Sequence, residues 1–312
     1  MGKLAPAIKL AISGGLILLL VSRVDLAEAG ARLDRLHGEY LLLALAGVMV
    51  QTYLWASRFA LLSGALINAP MSHGASLRVC LIAIFWSNLT LSYVGGDASR
   101  AWLLRRQGAG LSDALACVSL DSICGVLGLA ILAFPGLLGL LVYSGDWSLF
   151  AVAIALAAAA PVLLVGMAAF GRIESRFGRL RLVQAIATMR SRAGHLFRNG
   201  RLRNRAVGLA ALGHAFCVGS AVSISHAIGE PLPILIALAV YPLVLLISVV
   251  PISLAGWGVR EGAMVVAFGI IGYDALTAVT ISVLIGLLYV VLGLGGGAIM
   301  ALGGREKATA KV

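Results

Sequence analysis

The chain has 312 residues, of which 61% are hydrophobic and only 12% are charged. Soluble domains are about 45–50% apolar and about 25% charged, so this composition excludes a soluble fold, a secreted disulfide scaffold and a disordered tail. The 24 basic and 13 acidic residues give a formal net charge of +11. Because most basic residues lie between apolar runs, they indicate membrane topology and anionic lipid rather than nucleic acid. We expect an all-α polytopic membrane protein with a single integral domain, 1–312.

Six apolar runs are predicted to be membrane spans, because about 20 apolar residues cross the hydrocarbon core as a helix. They are 6–22, 40–64, 114–142, 148–170, 206–228 and 275–302. The first run lacks a small-residue cleavage pattern, so we interpret it as a retained span and not as a signal peptide.

The cysteines all lie in apolar stretches without a CxxC pair and are expected to be packing residues. They are Cys80, Cys117, Cys124 and Cys217.

Two shorter apolar runs, 76–93 and 233–250, are each followed by a glycine-rich polar cluster and then by a short segment. The clusters are YVGGDASR at 93–100 and PISLAGWGVREG at 251–262. This pattern predicts a helix that enters the membrane, breaks and turns back, with protein or a wet cavity covering the irregular backbone. We therefore expect two re-entrant hairpins, 76–112 and 233–273.

The arginine-rich segment 171–205 determines the predicted orientation, because basic loops stay on the cytoplasmic side. With six spans and two re-entrant hairpins, both termini are cytoplasmic; if the hairpins were full spans, Lys3 and Lys9 would lie outside. Apolar residues at helical spacing in the same segment, such as Ile186 and Met189, predict an amphipathic helix on anionic lipid. The alternative is a plain basic loop.

The two hairpins and the spans after them resemble each other at an offset of 161 residues, with Asp113-Ala114-Leu115 over Asp274-Ala275-Leu276. Chance matching of Gly, Ala and Leu is the alternative. Since the hairpins are predicted to enter from opposite sides, the repeat is inverted, as in many transporters. Ser112 or Asp113, and Tyr273 or Asp274, are expected to cap the following spans. The repeat halves are about 40–142 and 206–302.

Ionisable side chains at bilayer depth are costly, so those in the two breaks are candidate functional groups. Asp97 and Arg100 lie in the first break, and Arg260 and Glu261 lie in the second. We expect the breaks to meet and the two arginines to attract a lipid phosphate. Asp97 and Glu261 would hold these guanidiniums in the empty site, since arginine binds phosphate and carboxylate with the same fork. The alternative is a structural ion-pair network between the hairpins.

Neighbouring residues complete the predicted substrate site. Glycines permit tight turns and close backbone approach, and polar or proline residues before each break satisfy freed backbone groups or line a groove. Asp121, within a span, needs a partner; Arg58 is the candidate, although it lies near a span end and could extend to the interface instead. The other members of the site are Asn88, Ser92, Tyr93, Gly95, Gly96, Pro251, Ser253, Gly256 and Gly258.

Patterns typical of enzymes and metal sites do not occur in a credible context. His73, His195, His214 and His226 lack metal-ligand spacing, and there is no GxSxG, Walker, HExxH or Rossmann pattern. We therefore expect no cofactor, no metal and no catalytic residue.

The order of these motifs resembles the transmembrane, flippase-type domain of lysylphosphatidylglycerol synthetases and its stand-alone relatives. The resemblance rests on Arg58, Gly-Gly-Asp-x-x-Arg at 95–100, Asp121, and Pro-x-Ser-x-x-Gly-x-Gly-x-Arg-Glu at 251–261, and it spans nearly the whole chain. The family often has Asp-Arg where this chain has Asp121-Ser122, so any role of that arginine is absent or moved. The soluble aminoacyl-transferring domain is also missing, so the resemblance implies lipid translocation and not lysyl transfer.

The expected function is that of a lipid flippase or transporter of the bacterial inner membrane, moving a phospholipid or lipid-linked head group between the hairpins. Transport would be facilitated or ion-coupled, with Asp97 or Glu261 carrying a proton. A membrane-embedded transferase acting on a lipid-linked sugar, with one of these acids as base, and a non-transporting scaffold for a lipid-modifying enzyme stay open. The expected partners are membrane lipids (anionic phospholipid, polyprenyl lipid or glycolipid) and no nucleic acid; a lipid-biosynthetic enzyme and a second copy of the chain are further candidates.

Overall fold

The computed structural model describes residues 36–90, 93–145, 181–249 and 259–309, with isolated positions between 147 and 155. Within these ranges the chain is helical and contains no strand. The helices are α1 Gly38–Ile67, α2 His73–Leu89, α3 Tyr93–Arg106, α4 Leu111–Ser144, α5 Arg181–Arg198, α6 Gly200–Ala227, α7 Ile234–Val249, α8 Val259–Ile270 and α9 Ala275–Thr309. Four of them, α1, α4, α6 and α9, are long and apolar enough to cross a membrane. The all-α membrane class is therefore confirmed, whereas spans 6–22 and 148–170 lie largely outside the described residues.

The first predicted hairpin is formed by α2 and α3, which pack antiparallel. Gly96 near the start of α3 lies against Ala83 near the end of α2, and Leu104 near the end of α3 shares a core with Val79. The hairpin thus returns to the end from which it starts. Its break is shorter than predicted, because the helix resumes at Tyr93. The prediction that Asp97 and Arg100 lie in irregular backbone is wrong.

The motif glycines of α3 explain this correction. A Cβ atom at Gly95 would collide with Thr90, and one at Gly96 would lie 2.9 Å from the Ala83 carbonyl oxygen. The glycines therefore serve close contact between the two arms of the hairpin and not a turn. This packing outweighs the low intrinsic helix propensity of glycine, as tertiary contacts commonly do.

The second predicted hairpin is formed by α7 and α8, whose buried residues Val244 and Phe268 lie in one core. The Tyr273 hydroxyl just after α8 donates a hydrogen bond of 2.9 Å to the Pro231 carbonyl just before α7. This bond brings the two ends of the hairpin together. The break itself, with Pro251, Ser253, Gly256 and Gly258, lies outside the described residues.

The two halves of the molecule have opposite orientations. The first helices of each half are antiparallel: the His37 N–H donates to the Ala227 carbonyl over 3.0 Å, and Gly213 of α6 lies against Gln51 of α1. Equivalent helices also make equivalent contacts: α2 of the first half packs on α9, and α7 of the second half packs on α4. Antiparallel equivalent helices are what an inverted repeat requires.

The turns after the two hairpins correct the predicted register. The Leu104 carbonyl accepts bonds from the N–H groups of Gln107 and Ala109, with Gly108 between them at φ +97°. The Phe268 carbonyl accepts the equivalent bonds from Ile271 and Tyr273, with Gly272 between them at φ +85°. Equivalent atoms are therefore 164 residues apart here, and the offset of 161 is wrong at the turn. A left-handed glycine at this place is a common helix ending.

Capping shows why the Asp-Ala-Leu match misled. Asp274 caps α9, with its Oδ1 accepting from the Thr277 N–H over 2.6 Å. In α4 the N-cap is Gly110, so the prediction of a cap at Ser112 or Asp113 is wrong. Asp113 instead lies in the first helical turn, where a negative charge suits the helix dipole. The matching triplets thus occupy different helical positions.

The basic segment 171–205 contains α5, so a plain loop is wrong for residues 181–198. Leu196 is fully buried, with Ala193 and Phe197 packed around it against the core of α1, α4 and α6. Arg192 Nε donates to Asp113 Oδ1 over 3.1 Å, which ties α5 to the start of α4. One face of α5 thus packs on protein, and its contact with anionic lipid stays a prediction.

The four cysteines are buried free thiols, as the packing interpretation predicted. They lie in the two main cores.

Candidate functional site

A cavity of about 500 Å³ lies between the two hairpins and the four long helices. Small-molecule sites typically measure about 300–1,000 Å³, so this volume is that of a typical ligand site. Its charged lining residues come from α1, α3, α4 and α8, which the chain order separates widely. They are Arg58, Asp97, Arg100, Asp121 and Arg260.

Asp121 of α4 is the centre of the first charge cluster, by which we mean Arg58, Asp97, Arg100 and Asp121. Its carboxylate is fully buried and accepts four hydrogen bonds. Arg58 donates from Nε over 2.7 Å and from Nη2 over 3.2 Å, Arg100 from Nη1 over 2.5 Å, and Trp55 from Nε1 over 3.0 Å. A buried carboxylate requires such pairing. The predicted Arg58–Asp121 pair is confirmed.

Arg100 links this buried centre to the cavity. Its guanidinium lies about 5 Å from the ring centres of Trp55 and Phe59, positions that favour a cation. Its Nη2 donates to Asp97 Oδ1 over 2.6 Å and to Ser122 Oγ over 3.3 Å. The Arg100 side chain is 2% exposed, whereas that of Asp97 is 44% exposed. Asp97 is therefore the solvent-accessible member of the first charge cluster.

The second charge cluster consists of Arg260 and Glu261 at the start of α8 and Ser282 of α9. Arg260 donates to Glu261 Oε1 from Nε over 3.1 Å and from Nη2 over 2.9 Å. Ser282 Oγ accepts from Arg260 Nε and donates to Glu261 Oε1, both over 2.8 Å. The predicted pairing of each arginine with its neighbouring acid is thus confirmed in both clusters.

Uncharged polar groups form a third part of the lining, which we call the neutral wall: Gln51, Asn88, His214 and Tyr289. The Tyr289 hydroxyl donates to Gln51 Oε1 over 2.5 Å, and Asn88 Nδ2 donates to the Tyr289 carbonyl over 3.0 Å. His214 Nε2 lies 3.1 Å from the Gly125 carbonyl oxygen, which only accepts, so this nitrogen carries the hydrogen. These neutral hydrogen bonds therefore join α9 to α1 and α2, and α6 to α4.

The cavity gathers some of the predicted site residues and excludes others. Gly95 packs against Thr90 at the hairpin and does not line it, and Glu261 lies behind Arg260. Ser92, Pro251, Ser253, Gly256, Gly258 and the side chain of Tyr93 lie outside the described residues. The predicted members that line the cavity are Arg58, Asn88, Gly96, Asp97, Arg100, Asp121 and Arg260.

Several lining residues were not predicted, although the sequence carries signals for some of them. Gln51, Trp55 and Arg58 follow one another at helical spacing on one face of α1. Ser282 belongs to the second charge cluster and not to the lining; it lies 161 residues after Asp121, at the offset of the predicted repeat. His214 and Tyr289 carry no such signal, because a single polar residue in an apolar helix is common.

Comparison with known families gives one match. The family model described as "Lysylphosphatidylglycerol synthase TM region" matches residues 7–297. Both hairpins, both charge clusters and the neutral wall fall within this match. Comparison with curated proteins gives no match.

Proposed function

Because the chain belongs to the lysylphosphatidylglycerol synthase TM region family, a membrane family related to lipid modification or transport, we propose that it is a lipid flippase. In this proposal it moves a phospholipid or lipid-linked head group across the bacterial inner membrane, with both termini cytoplasmic. The head group occupies the cavity between the hairpins, and the acyl chains stay in the bilayer. No chemical step on the lipid is part of the proposal.

The observation that carries this proposal is the accessible ion pair between Asp97 and Arg100 at the wall of the cavity. A lipid phosphate offers the same acceptor geometry as a carboxylate. It can therefore take the place of Asp97 on Arg100 while Asp97 turns towards water. Hydrogen bonds to charged groups contribute about 1.5–3 kcal/mol each. Successive bonds of this strength compensate the phosphate for the water that it loses on entering the cavity.

The inverted halves support transport further. A cavity between two similar, oppositely oriented halves opens to one side or the other by small rearrangements of one half against the other. Here each hairpin contributes one arginine with its acid, Arg100 with Asp97 and Arg260 with Glu261. The same site can then be presented to either leaflet without the head group crossing hydrocarbon.

The proposal is tested by translocation of acyl-labelled phospholipids in proteoliposomes. Arg260→Gln removes a charge-assisted bond to the phosphate, and Asp97→Asn removes the carboxylate that returns to Arg100 when the phosphate leaves. Each is expected to lower the rate by about ten- to a hundredfold. Arg78→Gln is the matched control, because Arg78 is an exposed arginine of the same hairpin as Asp97. Wild-type rates in both cavity variants would reject the site.

The other two functions are separated in the same preparation. A transferase would produce a chemically altered lipid, which mass spectrometry detects after incubation with a sugar donor. A scaffold would show no translocation alone and would co-purify with a stable partner. Either result would replace the flippase proposal.

A further inference from the structure

A second cavity, of about 770 Å³, lies on α5, away from the one between the hairpins. Its described lining contains two arginines and no carboxylate, and it shares no residue with the lining of the first cavity. The two places are therefore separate. The described lining residues of the second cavity are Ala187, Arg190, Ser191, Gly194, His195, Arg198 and Asn199.

The spacing of these residues places a gap between the two arginines. Arg190, Gly194 and Arg198 follow one another at intervals of four residues, so they lie along one face of α5. Each arginine is about 6 Å from the glycine along the helix axis, at a rise of about 1.5 Å per residue. A Cβ atom at Gly194 would meet nothing within 4 Å. The two long cationic side chains therefore flank open space above the helix backbone.

The groups around this gap are hydrogen-bond donors. The side chains of His195 and Arg198 are exposed and make no hydrogen bond or ion pair with the described part of the chain. Ser191 adds a hydroxyl to the lining. A guanidinium has five N–H donors and no acceptor. A carboxylate offers such a set two oxygens, whereas a phosphate group offers three and a charge of about −1.5 to −2, so the set suits a phosphate better.

The cavity is on the polar side of α5. On the other side, Leu196 is fully buried, and Ala193 and Phe197 pack on the core of α1, α4 and α6. A helix that lies on a bilayer inserts an apolar face, but alanine is the sole apolar side chain of the described lining. The arrangement therefore favours a ligand that arrives from water.

We infer that α5 carries a binding site for a phosphate monoester, which we call the α5 site. Arg190 and Arg198 bind the phosphate group above Gly194, and Ser191 and His195 donate to its remaining oxygens. The volume of the cavity leaves room for the organic part of the ligand. In the predicted orientation the α5 site faces the cytoplasm. The inference is independent of the proposed function, because no residue of the transport cavity takes part.

The first test measures binding of glycerol 3-phosphate to the full chain in phosphatidylcholine nanodiscs by calorimetry. Saturable binding is expected, and Arg198→Gln should weaken it by about tenfold, the effect of one charge-assisted bond. Arg201→Gln is the matched control, because Arg201 is an exposed arginine close by that does not line the cavity. Equal weakening by the two variants would overturn the inference. Loss of binding in Arg260→Gln would place the probe in the transport cavity and would also overturn it.

The second test fills the gap without removing a charge. Gly194→Leu keeps both arginines and occupies the space between them, so binding should weaken as much as in Arg198→Gln. Gly208→Leu is the control, because Gly208 has equally open surroundings and does not line the cavity. Wild-type affinity in a folded Gly194→Leu protein would show that the arginines act only as diffuse charge and would overturn the site. If that variant does not fold, the Arg198→Gln comparison decides.

A third arm identifies the source of the phosphate. Phosphatidic acid is a lipid that carries a phosphate monoester, and phosphatidylglycerol is the anionic control. If the affinity for glycerol 3-phosphate is the same in nanodiscs that contain either lipid, the ligand of the α5 site is water-soluble, as we expect. A loss of affinity with phosphatidic acid alone would support the same site with a lipid as its ligand.

Discussion

The two charge clusters use the same residue types in different ways. The first joins three helices, α1, α3 and α4, through the buried Asp121 and the three charged side chains around it. The described bonds of the second join α8 to α9, and its two charges are neighbours in the chain. The first cluster therefore ties its hairpin to α1 and α4, whereas the described bonds of the second cluster tie its hairpin to α9.

The largest loss of stability is expected when the centre of the first cluster is removed. Asp121→Asn would leave Arg58 and Arg100 buried with only the half-exposed Asp97 as a carboxylate partner. Breaking a buried ion pair costs about 3–5 kcal/mol, so we expect a strongly lowered Tm in detergent or loss of folded protein. A Tm equal to that of the wild type would show that the cluster does not hold α1, α3 and α4 together.

A smaller effect is expected at the corresponding acid of the second cluster. Glu261 pairs with one arginine, Arg260, which is 12% exposed, whereas Asp121 pairs with two that are more deeply buried. The expected loss for Glu261→Gln is therefore that of a charge-assisted bond, about 1.5–3 kcal/mol. Unfolding in detergent is the measurement, with Asp121→Asn as the reference. A loss equal to or larger than that of Asp121→Asn would reverse the proposed order of the two clusters.

Packing between the halves gives a third test, for which we expect a moderate to small loss of stability. A Cβ atom at Gly296 would strike the Leu81 backbone, whereas one at the adjacent Gly295 would meet nothing within 4 Å. Gly296→Ala is therefore expected to destabilise by about 1–3 kcal/mol. Gly295→Ala should be neutral or stabilising by up to about 1 kcal/mol, since alanine favours helix. Equal effects would contradict the close contact between α9 and α2.

Asp97→Asn is expected to have the smallest effect on stability, although its effect on transport is large. Asp97→Asn changes a side chain that is half-exposed and keeps an oxygen near Arg100. Exposed ion pairs contribute about 0–1 kcal/mol, so its Tm should stay close to that of the wild type. A large drop in Tm would mean that Asp97 is structural, in the manner of Asp121.

Parts of the site were predictable because chemistry restricts them. A carboxylate such as Asp121 in an apolar span needs a cation, and Arg58 was an available one. The acids and arginines of the two breaks could be paired for the same reason. The positions of Trp55, Tyr289 and His214 could not be predicted, because sequence separation says nothing about which helix faces meet.

The amino-acid sequence by itself determined the membrane class, the long apolar helices, the two hairpins and their pseudo-repeat. Length, hydropathy and the cost of buried charge are properties of local segments, so they can be read without coordinates. Only the tertiary structure decided that the glycines of 95–96 pack within a helix, that the repeat register is 164 at the turns, and that Asp97 is exposed whereas Asp121 and Glu261 are buried. Those features depend on which surfaces come within a few ångströms of each other, and packing of distant segments sets that distance.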